Sequence, residues 1–452
     1  MEGLFSFYEV HLRINDCKSD IYGFILPCTF TILMGTNFKV AWGFTANYPE
    51  MYNIYKLSVS GIVGKYLTVD EKAEKLKSKY YLNYTKLFGR YPYPIFKKYY
   101  QSKLGNIINI NGKYLLIKIP ILGKSLGSET NYNLMKCSSN TEVKELCFSK
   151  RYGYLNFVSI DENDNILYIH NALEQVKENV QSHKANFIDL KLTTQISDNF
   201  YGTENLIYTE NPKCDYLVSV NQSPFKVTND LDIPKTNKFK GLLYYNENSR
   251  SIRIKSLLDS FGKLDCEDLK EILFDTKIIK PVIRNIDFSV LFDMDEFRYP
   301  KLEYLIRLLK IWDGVADLNS EGAALFSLFY YHYKENHYVS SKDSDVIKLA
   351  TADEIIGSLT WSLIYFKPKM LLKDIQFIKR GTTVLPIGGI PDSINSIRPF
   401  FEKGKLFAEE GGGFRLIIDL KLKQIFSCHP FGSTTHTEQD NSSNQMKLFT
   451  KN

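Results

Sequence analysis

Histidine and tryptophan are scarce, 7 and 3 in 452 residues. His332 and His337 are five apart, a spacing that does not set two imidazoles on one helical face, so no metal site is expected from histidine. The seven cysteines (Cys17, Cys28, Cys137, Cys147, Cys214, Cys266 and Cys428) are odd in number and form no C-x-x-C pair. That argues against both a zinc ribbon and a disulfide framework and leaves scattered buried thiols. No stretch approaches the ~18 uninterrupted apolar residues of a membrane-spanning helix. The opening Met1–His11 lacks a basic segment followed by an apolar one, so it is not a signal peptide. A strong charge is missing too: the net +6 is mild for this length and the lysines are scattered. No internal repeat is visible.

What is present is an ordinary globular composition, 44% hydrophobic and 24% charged. The length allows a large core and two or three domains of roughly 150 residues each. Aromatic content is high at 14%, with 30 Tyr and 30 Phe. The over-use of Lys, Asn, Ile and Tyr reads as codon bias rather than as a functional stripe. The densest aromatic-basic stretch is Phe96-Lys97-Lys98-Tyr99-Tyr100. Such a stretch can stack on and neutralise a nucleic acid, but a solvated strand edge is the favoured reading. Neither a nucleic-acid nor a membrane partner is expected.

Alternation with period two predicts strands near residues 5–13, 21–26, 29–34, 40–45, 54–59 and 114–119. Asp70–Lys77 is charged and helix-prone. Leu155–Ile160 and Ile166–His170 flank a polar turn as a hairpin. Residues 180–240 are irregular. Asp265, with Asp268 three residues on, predicts a capped helix over Cys266–Phe274. Leu302, Leu305, Ile306, Leu309 and Trp312 mark another helix, and Ser320 caps a third over Glu321–Tyr333. Strands return at Arg415–Leu420 and Gln424–Ser427. The reading is an α+β fold with largely antiparallel pairing. Its parts are a strand-rich 1–260, a mainly helical 261–380, returning strands at 381–433 and a loose polar tail at 434–452.

Several segments occur in a suggestive order. These are Phe7-Tyr8-Glu9-Val10-His11-Leu12; Gly23 with Leu26-Pro27; Gly35-Thr36-Asn37 with Val40-Ala41-Trp42-Gly43-Phe44-Thr45-Ala46; and Tyr55. Then follow Asn156…Asp161…Asn165-Ile166-Leu167-Tyr168; Asn221-Gln222-Ser223-Pro224; and Arg250…Leu257-Leu258. Last come Trp312-Asp313-Gly314…Asp317…Ser320; Gly388-Gly389…Pro391-Asp392; and Phe431-Gly432-Ser433. Together they resemble the β-chain region of the penicillin acylase family, which includes acyl-homoserine-lactone and cephalosporin acylases. The departures are Cys28 and Asp164 where the family has glycine, and an eroded C-terminal element at Asn441–Gln445.

The resemblance implies an αββα sandwich of the N-terminal-nucleophile hydrolases, incomplete here, with a helical insertion. It implies hydrolysis of a linear amide by an N-terminal serine whose own α-amine is the base. On residue type alone Ala46 is a strand end, Asn221 a turn residue before Ser-Pro, and Arg250 a cation opening a helix. The resemblance makes the Ala46 backbone N–H and the Asn221 side-chain amide the two oxyanion donors, and Arg250 the residue that orients Asn221. The calcium of some relatives would fall on Glu50, Asn53 and Asp232, where Asn53 replaces a carboxylate that calcium favours. No other cofactor is implied.

The family's serine is expected about 25 residues upstream of Met1, from the family's strand spacing. The expectation is therefore a truncated chain, inactive alone. The alternatives are the β-chain of a split enzyme, whose α-chain and nucleophile strand lie on a separate polypeptide that assembles with it, and a non-catalytic binding module. Relatives are usually periplasmic or secreted, and this sequence leaves the compartment open.

Overall fold

The computed structural model describes residues 7–14, 19–27, 29–47, 53–57, 65–67, 73–87, 91–102, 105–119, 127–149, 153, 155–171, 187–189, 206–229, 247–337, 347–434 and 436–450. The Phe5 position and Cys28 lie outside them. The N-terminal strands are β1 (Tyr8–Ile14), β2 (Ser19–Ile25), β3 (Met34–Thr36), β4 (Val40–Ala46) and β5 (Asn53–Leu57). Next are β6 (Lys65–Leu67), β7 (Ala73–Lys75), β8 (Lys77–Leu87), β9 (Tyr91–Ser102), β10 (Gly105–Ile110) and β11 (Lys113–Lys118). After helices α1 (Gly127–Leu134) and α2 (Asn140–Ser149) come β12 (Leu155–Asp161), β13 (Ile166–Asn171), β14 (Phe187–Asp189) and β15 (Ile207–Glu210).

The main sheet is seven-stranded and antiparallel, in the order β1-β2-β3-β4-β12-β13-β15. Period two divides its side chains between two faces. Val40, Trp42, Phe157, Leu167 and Ile169 point to one face, where Leu134, Val143 and Cys147 of α1 and α2 complete a dry core. The other face meets a two-stranded sheet, Arg415–Asp419 with Gln424–Cys428. There the Phe24 and Phe414 rings lie 5.0 Å apart, and the Tyr22 and Ser427 hydroxyls are hydrogen-bonded at 2.8 Å. Behind this pair lies the helix Cys266–Leu273, whose Lys270 ammonium sits 4.8 Å from the Phe426 ring centroid. The layers run helix, sheet, sheet, helix. A second sheet, six-stranded in the order β14-β5-β11-β10-β9-β8, ends in the long β8–β9 hairpin.

The helical region is built on α3 (Ser249–Ser260), α4 (Cys266–Leu273), α5 (Ser289–Asp293), α6 (Glu303–Ile311), α7 (Glu321–His337) and α8 (Ala352–Ser362). The capping box of Asp265 and Asp268 forms as the sequence predicts. Helix α7 buries residues all round, from Ala323 to Tyr333, because α6, α8 and the loop before α7 surround it.

Three expectations are corrected. The stretch expected as helix at Asp70–Lys77 carries strand β7, paired with β6 over Lys65–Leu67, so tertiary pairing overrides local propensity. The strand expected at Thr29–Met34 begins only at Met34. The tail read as loose packs down in its described part: Met446 and Phe449 are buried, and Arg415 donates to the Phe449 carbonyl at 3.2 Å. Among the described residues, no helix is long and apolar enough to cross a membrane.

Gly322 opens α7 against the Trp312 ring, where an added Cβ would lie 2.4 Å from Cγ. The ring cannot swing away, because its Nε1 donates to the Val315 carbonyl at 2.9 Å. Gly322→Ala is expected to lose about 1–3 kcal/mol in urea unfolding. Gly357→Ala, in exposed mid-helix with nothing within 4 Å of the added Cβ, is expected to gain about 0.5–1 kcal/mol. Equal effects of the two would contradict this packing.

Candidate active site

Ala46, Asn221 and Arg250 are far apart in sequence and line one cleft of ≈ 570 Å³. Ala46 ends β4. Asn221 sits in the loop after Val220 with φ of 68°, a left-handed conformation in which asparagine is enriched. The loop is clamped locally. Gln222 accepts from the Val220 N–H at 2.7 Å and donates to the Val218 carbonyl at 2.5 Å. Ser223 caps the short turn Pro224–Lys226. Asn248, the N-cap of α3, donates to the Val220 carbonyl at 2.9 Å and so ties the loop to the helix carrying Arg250.

Arg250 Nη2 donates to Asn221 Oδ1 at 3.2 Å. A guanidinium has no acceptor, so this contact fixes which end of the amide faces it. Nδ2 must turn the other way, and it donates to the Ala46 carbonyl at 2.8 Å. The NH₂ group carries a second hydrogen for another acceptor. Arg250 Nε lies 3.8 Å from Oδ1 of Asp392, a carboxylate that is 5% exposed. Asp392 Oδ2 accepts from the Arg284 backbone N–H at 3.1 Å. Gly389 makes the approach to this aspartate possible: its φ is 89°, and a Cβ there would lie 1.9 Å from the Asn395 carbonyl oxygen.

A buried polar chain supports the Ala46 side. Asn156 Nδ2 donates to Thr45 Oγ1 at 3.2 Å and to the Ala46 carbonyl at 3.4 Å. Asn156 Oδ1 accepts from the Tyr168 hydroxyl at 2.7 Å and is 3.0 Å from His170 Nδ1. Thr45 also bonds the Ser219 hydroxyl at 2.6 Å, joining β4 to the Asn221 loop. Asn156, Tyr168 and Asp392 occur in the sequence motifs, but residue type alone gave no sign of these contacts. Thr45 belongs to the Val40–Ala46 segment of those motifs, and His170 reads in sequence only as a strand residue.

The cleft is cationic. Arg250, Arg284, Lys334 and Arg398 line it against Glu410, which Arg398 pairs at 2.6 Å. Ser327, 3% exposed, also lines it, and among the described residues its hydroxyl has no hydrogen-bond partner. A Ser–His contact elsewhere, Ser358 with His332 Nδ1 at 3.2 Å, is structural, because Ser358 is fully buried. Of the residues matching the relatives' calcium ligands, Glu50 and Asp232 lie outside the described residues and Asn53 opens β5. Among the described residues, no group of three or more His, Cys, Asp or Glu could hold a metal ion.

Burial pushes the His170 imidazole down to about 3, so it is neutral at physiological pH. Its folded value lies below its unfolded one. The unfolded chain therefore binds more protons between about pH 3 and 6.5, and stability falls as pH drops through that window. Between pH 7 and 4.5 this residue is expected to remove roughly 2–3 kcal/mol. Urea titrations of the natural chain and of His170→Gln should differ in slope with pH. An NMR titration placing His170 near 6.5 would contradict the burial argument.

The sequence profile of the penicillin amidase family matches residues 3–452. A solved structure of thermostable penicillin G acylase from Alcaligenes faecalis aligns over 100% of this chain and 90% of that chain, with a TM-score of 0.65 and 14% identity. At that identity the likeness shows the fold alone, that of an N-terminal-nucleophile hydrolase, as the α+β layers and antiparallel sheets lead one to expect. No curated protein sequence matches. On the family match across nearly its whole length, the chain belongs to the penicillin amidase family.

Proposed function

We propose that this chain provides the oxyanion-stabilising part of an amide hydrolase acting on carbon–nitrogen bonds of linear N-acyl amides, acyl-homoserine lactones among them. The observation that carries the reading is the Arg250–Asn221–Ala46 chain of contacts at the cleft. Attack on an amide carbonyl moves negative charge onto its oxygen. Donors already aimed at that oxygen stabilise the transition state without reorganising. The second Nδ2 hydrogen of Asn221 and the backbone N–H of Ala46 are the two donors in this reading. Arg250 is a positioning residue: it acts on substrate through Asn221, and Asp392 in turn stands against Arg250.

Nucleophilic attack needs a hydroxyl with a base beside it. Ser327 and Ser396 lie in the cleft, and neither hydroxyl bonds a base among the described residues. Following the family resemblance, we assign the nucleophile to an N-terminal serine on an upstream stretch or a separate polypeptide, and propose that this chain alone is inactive. Two observations support a place for such a strand. Among the described strands β1 pairs with β2 alone and so ends the main sheet. A pocket of ≈ 170 Å³ separates Phe7–Glu9 from residues 408–413.

The test is to purify the chain alone and together with a serine-led strand segment, and to assay phenylacetyl and long-chain acyl amides. Turnover is expected only with the segment. Asn221→Ala should lower kcat by ~10²–10³-fold. Arg250→Lys should lose less, since a lysine keeps one donor but not the planar fork. Hydrolysis by the isolated chain that survives Asn221→Ala contradicts the proposal. Amide binding without turnover, with the segment present, favours a binding module instead.

A further inference from the structure

The β8–β9 hairpin leaves the body of the protein. Strand β10 holds β9 only through Tyr100–Ser102. From Lys79 and Tyr99 out to Leu87 and Tyr91, the described ribbon has two strands and no third. At about 3.3 Å per residue this arm is roughly 30 Å long. All of β8 is exposed.

Its chemistry is one-sided in charge and two-sided in shape. Between Lys77 and Ser102 there is no Asp or Glu, while Lys77, Lys79, Lys86, Arg90, Lys97 and Lys98 are all cationic. Rings stand out on both faces. The pairing puts Tyr80, Leu82, Tyr84 and Phe96 on one face and Tyr81, Leu87, Tyr91 and Tyr93 on the other. Phe96 is 71% exposed, Tyr84 68% and Tyr91 67%. Along the arm, Lys77, Lys79, Lys97 and Lys98 gather at the stem, and the outer half is dominated by rings and aliphatic side chains.

Base stacking on a single strand of nucleic acid works in a basic groove, and a convex ribbon offers none. A rigid protein surface covers one face and leaves the other wet. A lipid interface is fluid and surrounds both faces. It accepts tyrosine rings at headgroup level, and its anionic headgroups attract lysines. We infer that the β8–β9 arm docks this protein onto the surface of an anionic lipid bilayer, with outer rings at the headgroup boundary and stem lysines on lipid phosphates. This revises the expectation of no membrane partner. That expectation rested on the absence of a spanning segment, which peripheral docking does not require. The inference stands apart from the hydrolase reading.

The test sediments the full chain with vesicles of phosphatidylcholine alone and of phosphatidylcholine with phosphatidylserine. Binding is expected to the second only, weakening with salt. Lys97→Ala with Lys98→Ala should lower affinity about 25-fold, from roughly fivefold per lysine. Leu82→Glu with Phe96→Glu should abolish binding while the thermal melt is unchanged. Phe96→Trp should show blue-shifted emission on the anionic vesicles, against the buried Trp42 and Trp312 and the half-buried Trp361. No sedimentation with anionic vesicles at low ionic strength, undiminished binding by the glutamate pair, or preference for a thymidine oligonucleotide over vesicles would each overturn the inference.

Discussion

The site depends on one orientation, that of the Asn221 amide. An asparagine side chain is a two-way rotor, and either end can face a substrate. Here the guanidinium of Arg250 accepts nothing and the carbonyl of Ala46 donates nothing, so only one arrangement satisfies both. The oxygen end turns to Arg250 and the nitrogen end to the Ala46 carbonyl. A preorganised donor of this kind is what a reaction developing an oxyanion uses. The rest of the architecture can be understood as what keeps three distant segments within reach of that amide.

Those segments are held by polar contacts in dry surroundings, where an unmatched group is expensive. Asn156, Tyr168 and His170 come from neighbouring strands of the main sheet and fix the end of β4. Asn248 caps α3 and at the same time holds the Asn221 loop. Asp392 stands behind Arg250 on a loop that only glycine at 389 permits. Left-handed backbone at Asn221, Arg284 and Asp392 gathers around the cleft. Strain of that kind persists where surrounding contacts over-determine it.

Much of this was legible in the sequence, for identifiable reasons. The strands at Val40–Ala46 and Leu155–Asp161 alternate because each presents one face to α1 and α2 and the other to the second sheet layer. The cap at Asp265 is a local motif and formed as written. Helices α1 and α2 went unread because they bury polar side chains, among them Thr130, Asn131 and Asn140, so apolar spacing does not mark them. Strand β7 was misread because alanine, glutamate and lysine favour helix until β6 pairs with them. Asn221 and Arg250 were found only through the order of the family's motifs. Taken singly they are a turn residue and a surface cation. The network through Asn156 to His170 could not be read in advance, since it exists only once strand register brings those side chains together.

The most direct measurement is a crystal structure of the chain with a tetrahedral phosphonate analogue of amide hydrolysis bound in the cleft. A phosphonate oxygen is expected about 2.7–3.1 Å from both Asn221 Nδ2 and the Ala46 backbone nitrogen, with the Arg250–Asn221 contact kept. A phosphonate seated on Arg284 and Lys334 instead, with the Asn221 amide turned away, would contradict it.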